Sequence, residues 1–398
     1  MTAFLSCRGI QQWRWQAALA ICSTAAVASC GVTGAGGGTG HSPAAAAGSS
    51  VQAGGRAPVL GYRLNAVAAL SAASAWAVGM SNQVTIHPVR WDGQGWRRVP
   101  ASGGGDLYGV AAISAADAWA VGYGASGTTA LIEHWNGTAW TPVATPSTGG
   151  PAILHAVAAV AHGDVWAVGG ANSAGKTVIL HWNGTAWTRV SSPSPPGASS
   201  ELNGVAATSA TNAWAVGDTD NRKQTVPLIE HWNGTAWRQV PSPALKFQGI
   251  LNGVAATSAS NAWAVGNSIT AHGTAALIEH WNGRAWAPVH SPALGAPGGL
   301  AGVTALSDTS AWAVGGIFHR HQRMLTVAER WNGTSWTLVP SPARGFLGSV
   351  TATSPRNAWA VGLDWSSSTS STGIIEHWNG SSWTCISATG TAGPCPSA

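Results

Sequence analysis

Apolar runs of about five to seven residues, broken by Gly, Asn, Asp and Ser, recur along this chain at a near-constant interval. One copy has an apolar run Leu107–Ile113, a turn cluster Ser114–Asp117 and a second run Ala118–Gly122. After a Gly/Ser loop come a third run, Leu131–Trp135, then Asn136-Gly137 and a last run through Trp140 to Val143. Short runs bounded by turn formers predict strands, four to a copy. The leading Trp of each copy is Trp76, Trp119, Trp166, Trp214, Trp263, Trp312 and Trp359, with spacings of 43, 47, 48, 49, 49 and 47 residues. A four-stranded sheet of this size cannot hide two apolar faces alone. Stacked radially it can, so the pattern predicts an all-β, seven-bladed β-propeller of four-stranded antiparallel blades.

The third and fourth strands of each copy are joined by Asn-Gly, or by Asp92-Gly93 in the first. This pair predicts a two-residue type I′ hairpin turn, with φ > 0 at both positions. That register sets Trp135 opposite Thr138 and Glu133 opposite Trp140. The two Trp then share a sheet face as diagonal neighbours, and His134 points to the other face. Each copy carries three Trp, 21 of the 24 in the chain. Burying one contributes on the order of 4–6 kcal/mol gross, an upper bound. Their expected place is between blades. First strands such as Gly204–Ser209 are small, as the crowded position beside a central channel requires. Copies in register with blades predict closure of whole blade 1 on whole blade 7. A strand-swapped closure through Ala57–Leu60 is the alternative.

The pattern Ala-Trp-Ala-Val-Gly, a gap, then His-Trp-Asn-Gly-Thr-Ala-Trp resembles the Trp-rich propeller repeats of bacterial surface and secreted proteins, over about residues 62–387. These are similar to the BNR/Asp-box and Kelch propeller superfamilies. An Asp box has Ser-x-Asp-x-Gly-x-Thr-Trp, whereas Trp232-Asn233-Gly234-Thr235-Ala236-Trp237 lacks the Ser and sets Asn directly before Gly. Sialidase-like chemistry, which the resemblance would imply, needs an arginine triad, a Tyr nucleophile and an acid. The chain has three Tyr (Tyr62, Tyr108, Tyr123), and no arginine triad stands out. The enzymatic part of the resemblance does not carry over.

Residues 1–29 read as an export signal, with Arg8 and Arg14 before an apolar stretch too short to span a bilayer as a mature helix. It ends Val27-Ala28-Ser29-Cys30-Gly31, which resembles the bacterial lipobox and implies lipidation of Cys30. Ordinary cleavage near Ala28 or Ser29 is the alternative. Residues 30–57 are a Gly/Ala/Ser/Thr tether, residues 58–387 the propeller, and 388–398 a tail. Cys7 and Cys22 would leave with the signal. Cys385 and Cys395 remain as an even pair, expected to form a disulfide in an oxidising compartment, with two free thiols the weaker reading. The expected location is extracytoplasmic, held to the membrane by the lipid alone, or else secreted.

Only 8% of residues are charged and the net charge is +5, too dilute for a nucleic-acid reader. No P-loop, dinucleotide fingerprint, nucleophile elbow or zinc motif occurs, so no cofactor is expected. The repeated His and Glu of the third strands are spread around the ring and read as structural. Candidate ligand residues therefore come from the variable face, which holds the loops between second and third strands and the inter-blade connections. Trp365 and Asp364 could stack on a sugar and bond its hydroxyls. Asp218, Asp220 and Arg222 cluster in the fourth copy, and His319 and His321 in the sixth. Neither a calcium loop nor a metal pair is complete there. The expected function is a monomeric, non-catalytic binding or scaffold propeller that presents this face to a glycan or protein partner. A secreted polysaccharide hydrolase or lyase is the alternative.

Overall fold

The computed structural model describes residues 63–395, apart from 81–86, 126–128, 172–174, 196–197, 222, 244, 246–247, 271–272, 293–296, 320–322, 365–371, 388–390 and 394. Seven antiparallel sheets follow one another along the chain, each built from consecutive strands. Blade 4 is representative: Ser199–Ser209, Asn212–Asp220, Thr225–Trp232 and Trp237–Gln239, in that order from the axis outwards. The protein is a seven-bladed β-propeller. Its ring falls within the unit Val59–Ala398.

The repeated Gly of Ala-Trp-Ala-Val-Gly has a steric cause. A β-bulge interrupts the first strand between Leu202 and Gly204, and Leu202 pairs with Gly217. The bulge drives the Glu201 carbonyl oxygen to 1.9 Å from where a Cβ on Gly217 would lie. In each other blade the equivalent carbonyl, that of the residue before the first-strand Leu, lies 1.8–2.0 Å from a Cβ built on Gly79, Gly122, Gly169, Gly266, Gly315 or Gly362. Every copy thus needs Gly where its two inner strands come closest.

The outer hairpin differs from the expected register by two residues, so the same side chains keep their faces. Trp232 lies directly opposite Trp237, and Glu230 opposite Gln239. Asn233 begins the turn rather than occupying its centre. Its Oδ1 accepts the N–H groups of Thr235 and Ala236 at 3.0 Å each and the Thr235 hydroxyl at 2.8 Å. Gly234 takes φ +92°. Asn is used for its side-chain acceptor and Gly for its backbone, which an Asn-Gly pair alone does not distinguish.

The register puts both hairpin Trp on one face as a direct cross-strand pair, and the second-strand Trp on the other. Each blade interface is therefore a Trp triad. Trp214 of blade 4 lies 4.9 Å from Trp281 of blade 5 and 5.1 Å from Trp286, the latter at 89°. Equivalent triads join the other blades. The last closes the ring, with Trp359 of blade 7 at 5.0 Å from Trp91 and 5.4 Å from Trp96 of blade 1. Near the axis, Val67 N–H donates to Ser349 Oγ at 3.3 Å across the same seam. Blade 1 draws its four strands from 63–98, so the described closure joins whole blades. The Ala57–Leu60 alternative lies outside the described residues, as do Cys30 and the leader.

Blade 7 carries a fifth strand, Ala392–Gly393, paired outside Trp383–Ile386. The expected disulfide between Cys385 and Cys395 holds it there. Glu376 lies within 4.8 Å of both sulfurs, but sulfurs joined to each other offer no thiolate to a metal. A cross-link over a sequence separation of 10 residues contributes roughly 2–3 kcal/mol by restricting the unfolded chain. Reduction is expected to release the fifth strand and leave the seven-bladed ring folded. Faster amide exchange at Cys385 to Ser387, with unchanged exchange in blades 2–6, would show it.

Candidate functional site

The seven copies serve as an internal alignment. A residue type repeated around the ring belongs to the scaffold, and departures that gather in space mark a site. The third-strand His belong to the scaffold. His231 stacks on Trp214 with centroids 4.2 Å apart, and its Nε2 meets Asn212 Oδ1 at 2.8 Å. His134, His181, His280 and His377 repeat the arrangement on Asp117, Asp164, Asn261 and Asn357. Blades 1 and 6 change both partners together. Arg90 and Arg330 lie over Trp76 and Trp312 at 5.4 and 5.5 Å, and Ser74 and Ser310 stand where the others have Asp or Asn. A guanidinium covers the indole face as a cation–π partner and does not need the side-chain acceptor that an imidazole uses. Burial pushes His231, His280 and His377 below their ordinary range.

The repeated Glu belong there too. Glu230, Glu279, Glu329 and Glu376 are fully buried and accept a hydroxyl from Ser192, Ser242, Ser291 and Ser341 at 2.8–2.9 Å. Each Ser lies on the connection arriving from the preceding blade. In blade 2 the donor to Glu133 is the Gly103 N–H, at 2.9 Å. These carboxyls pin connections to the third strands, and none meets a Trp indole. Burial pushes all five up to about 7.

The departures gather at the channel mouth, on the face with the inter-blade connections and the loops between second and third strands. The residue following the first-strand Leu reads Asn65, Tyr108, His155, Asn203, Asn252, Ala301 and Gly348 around the ring. Asn65, Asn203 and Asn252 do a scaffold task. Each donates its Nδ2 to the Leu carbonyl of the next blade, at 2.7–2.8 Å. Tyr108 and His155 break the rule in adjacent blades and meet edge-on, with ring centroids 5.7 Å apart. The residue preceding that Leu reads Arg63, Asp106, Ile153, Glu201, Ile250, Gly299 and Phe346. Its charged members lie in blades 1, 2 and 4.

These departures form a continuous polar arc. Tyr123, near the end of the second strand of blade 2, stacks on Tyr108 at 5.8 Å and 21°. Tyr108 donates its hydroxyl to Tyr123, which donates in turn to Asp106. Burial pushes the Tyr108 phenol above its ordinary range, and the charge of Arg63 opposes this. Burial and the bond to Asp106 push Tyr123 the same way. His155 Nε2 meets Glu201 Oε1 at 2.6 Å, across from blade 3 to blade 4. Asp218 pairs with Glu201 across the strands. The bulge that forces the repeated Gly also turns the residue after Leu out of the ladder, so it places Tyr108 at the mouth.

The candidates from the sequence are distributed as follows. Asp218 and Asp220 lie together in the second strand of blade 4, Asp218 buried and Asp220 half-buried. Asp364 ends the second strand of blade 7, 3% exposed. His319 ends that of blade 6. Trp365, Arg222 and His321 lie outside the described residues. Asp218 joins the arc, whereas Asp364 and His319 belong to other blades. Arg63, Asp106, Tyr108, Tyr123, His155 and Glu201 were not singled out from the sequence. Aligning the copies on their Leu would have exposed them.

No protein-family model matches this chain, and no curated protein does. Solved structures share the fold. YCF48 bound to a D1 peptide is similar at 16% identity over 77% of this chain and 91% of that one, with TM-score 0.52. A GH74 xyloglucanase from Xanthomonas campestris is 14% identical over 81% of this chain and 53% of its own, TM-score 0.54. A PL25 ulvan lyase is 9% identical over 83% and 95%, TM-score 0.51. A peptide binder, a hydrolase and a lyase thus share one scaffold at these identities, so the fold leaves the function open.

Proposed function

We propose that this protein is a non-catalytic extracytoplasmic binding propeller that presents its connection face to a glycan or protein partner. The observation that carries the reading is the polar arc. Departures from the repeat gather at one mouth of a ring whose other turns are nearly uniform. Loops and strand ends on a rigid scaffold can diverge for binding without loss of the fold. The Cys385–Cys395 disulfide supports an oxidising location, and the leader with Cys30 supports a lipid anchor.

A second reading is favoured by one pair. His155 and Glu201 at 2.6 Å, beside a phenol, are groups suited to acid–base work on a polysaccharide. Binding remains the first choice because Tyr108 and Tyr123 are held protonated and engaged in a chain of hydrogen bonds that ends on Asp106. Tyr123→Ala is expected to abolish retention of the purified ring on cell envelopes while the ring stays folded. Chain cleavage by the wild-type ring that His155→Ala removes would establish the enzymatic reading instead.

A further inference from the structure

Resting on that binding reading, we infer that the channel mouth is a sugar site and that the sugar it takes is neutral and rich in hydroxyls, not anionic. The aromatic part comes first. Tyr108 braces Tyr123 from behind at 5.8 Å, and Tyr123 is half-buried. A braced phenol is a flat, rigid surface for the C–H face of a hexose, and it loses little entropy on binding.

Hydrogen-bonding capacity is the second part. A sugar hydroxyl both donates and accepts, so it is held best between groups of opposite kind. The arc interleaves them. Asp106, Glu201 and Asp218 accept, Arg63 donates, and His155 bridges to Glu201 at 2.6 Å. Charge-assisted bonds of this sort are shorter and stronger than neutral ones.

Sign decides between sugar classes. Within the arc three carboxylates, Asp106, Glu201 and Asp218, face one permanent cation, Arg63. A uronate or sulfated sugar would meet like charge on blades 2 and 4, on either side of blade 3, whereas a neutral sugar meets none. The other half of the mouth adds no charge at the matching positions. Blades 5, 6 and 7 carry Ile250, Gly299 and Phe346 before Leu, and Asn252, Ala301 and Gly348 after it. With only uncharged groups there, a ring bound at the mouth would set its hydroxyl edge on blades 2–4.

The test uses the Val59–Ala398 unit, which holds every described strand and the closing interface. It is applied to immobilised neutral hexose and N-acetylhexosamine oligosaccharides, beside uronate and sulfated oligosaccharides of matched length. Binding is expected on the neutral set. Tyr123→Ala and Glu201→Gln should each weaken it roughly tenfold or more while the ring stays folded, and Glu201→Asp should recover part of it. Binding confined to the anionic set, or neutral binding indifferent to both substitutions, overturns the inference. Silence on all sugars, with Tyr123-dependent capture of an envelope protein, overturns it and leaves the binding propeller standing. Silence with no Tyr123-dependent partner of any kind overturns both.

Discussion

Trp214→Ala is expected to destabilise the ring by about 3–5 kcal/mol, the range for deleting a large aromatic from a core that cannot collapse around the gap. Trp214 is 0% exposed. His231 covers one side at 4.2 Å, and Trp281 and Trp286 enclose it from blade 5 at 4.9 and 5.1 Å. Strands on both sides are fixed by their own ladders, so the cavity persists. Two neighbouring indoles then lose their packing surface. Trp359→Ala makes the same cavity at the seam. There blades 1 and 7 are held by side chains, Trp359 against Trp91 and Trp96, with Ser349 and Thr351 accepting backbone N–H groups from blade 1. Loss of stability is expected to match Trp214→Ala. The ring should also open at the seam before it unfolds, giving a larger hydrodynamic radius at intermediate urea for Trp359→Ala alone. Identical urea curves and radii for the two variants would show that the seam is no weaker than the interior interfaces.

The stability of the ring is expected to fall as pH rises from about 4.5 to about 7. Glu133, Glu230, Glu279, Glu329 and Glu376 titrate at about 7 in the folded ring against an ordinary 4.5, because burial penalises the charged form. Between those values the folded ring holds protons that the unfolded chain has released. Raising the pH therefore favours the unfolded chain, until both states are ionised above pH 7. Each group contributes on the order of 3 kcal/mol over the window at about 1.36 kcal/mol per pH unit. The lowered His231, His280 and His377 act in the opposite direction. They favour the folded ring above the ordinary His range and lose that contribution as pH falls below it. Glu230→Gln isolates the glutamate effect, since Gln matches the protonated acid in shape and still accepts from Ser192. The variant should equal wild type at pH 4 and exceed it in melting temperature at pH 8. Parallel pH profiles for the two would show that Glu230 titrates as an ordinary carboxyl.

Period, strand count, Trp placement and the closing disulfide were legible in the sequence, because each rests on local chemistry. Turn formers at fixed offsets bound strands, and three large indoles per copy can be buried only between blades. The hairpin register was missed by two residues. Asn-Gly is compatible with a positive φ at Asn and equally with Asn accepting from the two residues that follow Gly. Only the paired strands select the second. The repeated Gly was visible as a pattern, but its cause, a bulge pressing the Glu201 carbonyl to 1.9 Å from a Cβ on Gly217, is a contact between strands.

The site divides in the same way. The sequence singled out loop residues because loops vary in length, and of these Asp218 lies beside the polar arc. It missed Tyr108, His155 and Glu201, which occupy strands of unremarkable length. Their neighbourhood is created by the stacking of consecutive blades, which brings residues 46 apart in sequence to 2.6 Å, as for His155 and Glu201. What the sequence determined by itself is the repeating unit, since its signals lie within one blade. Which departures from that unit stand together was decided only by the tertiary structure, because radial stacking gathers one residue from each copy around a common axis.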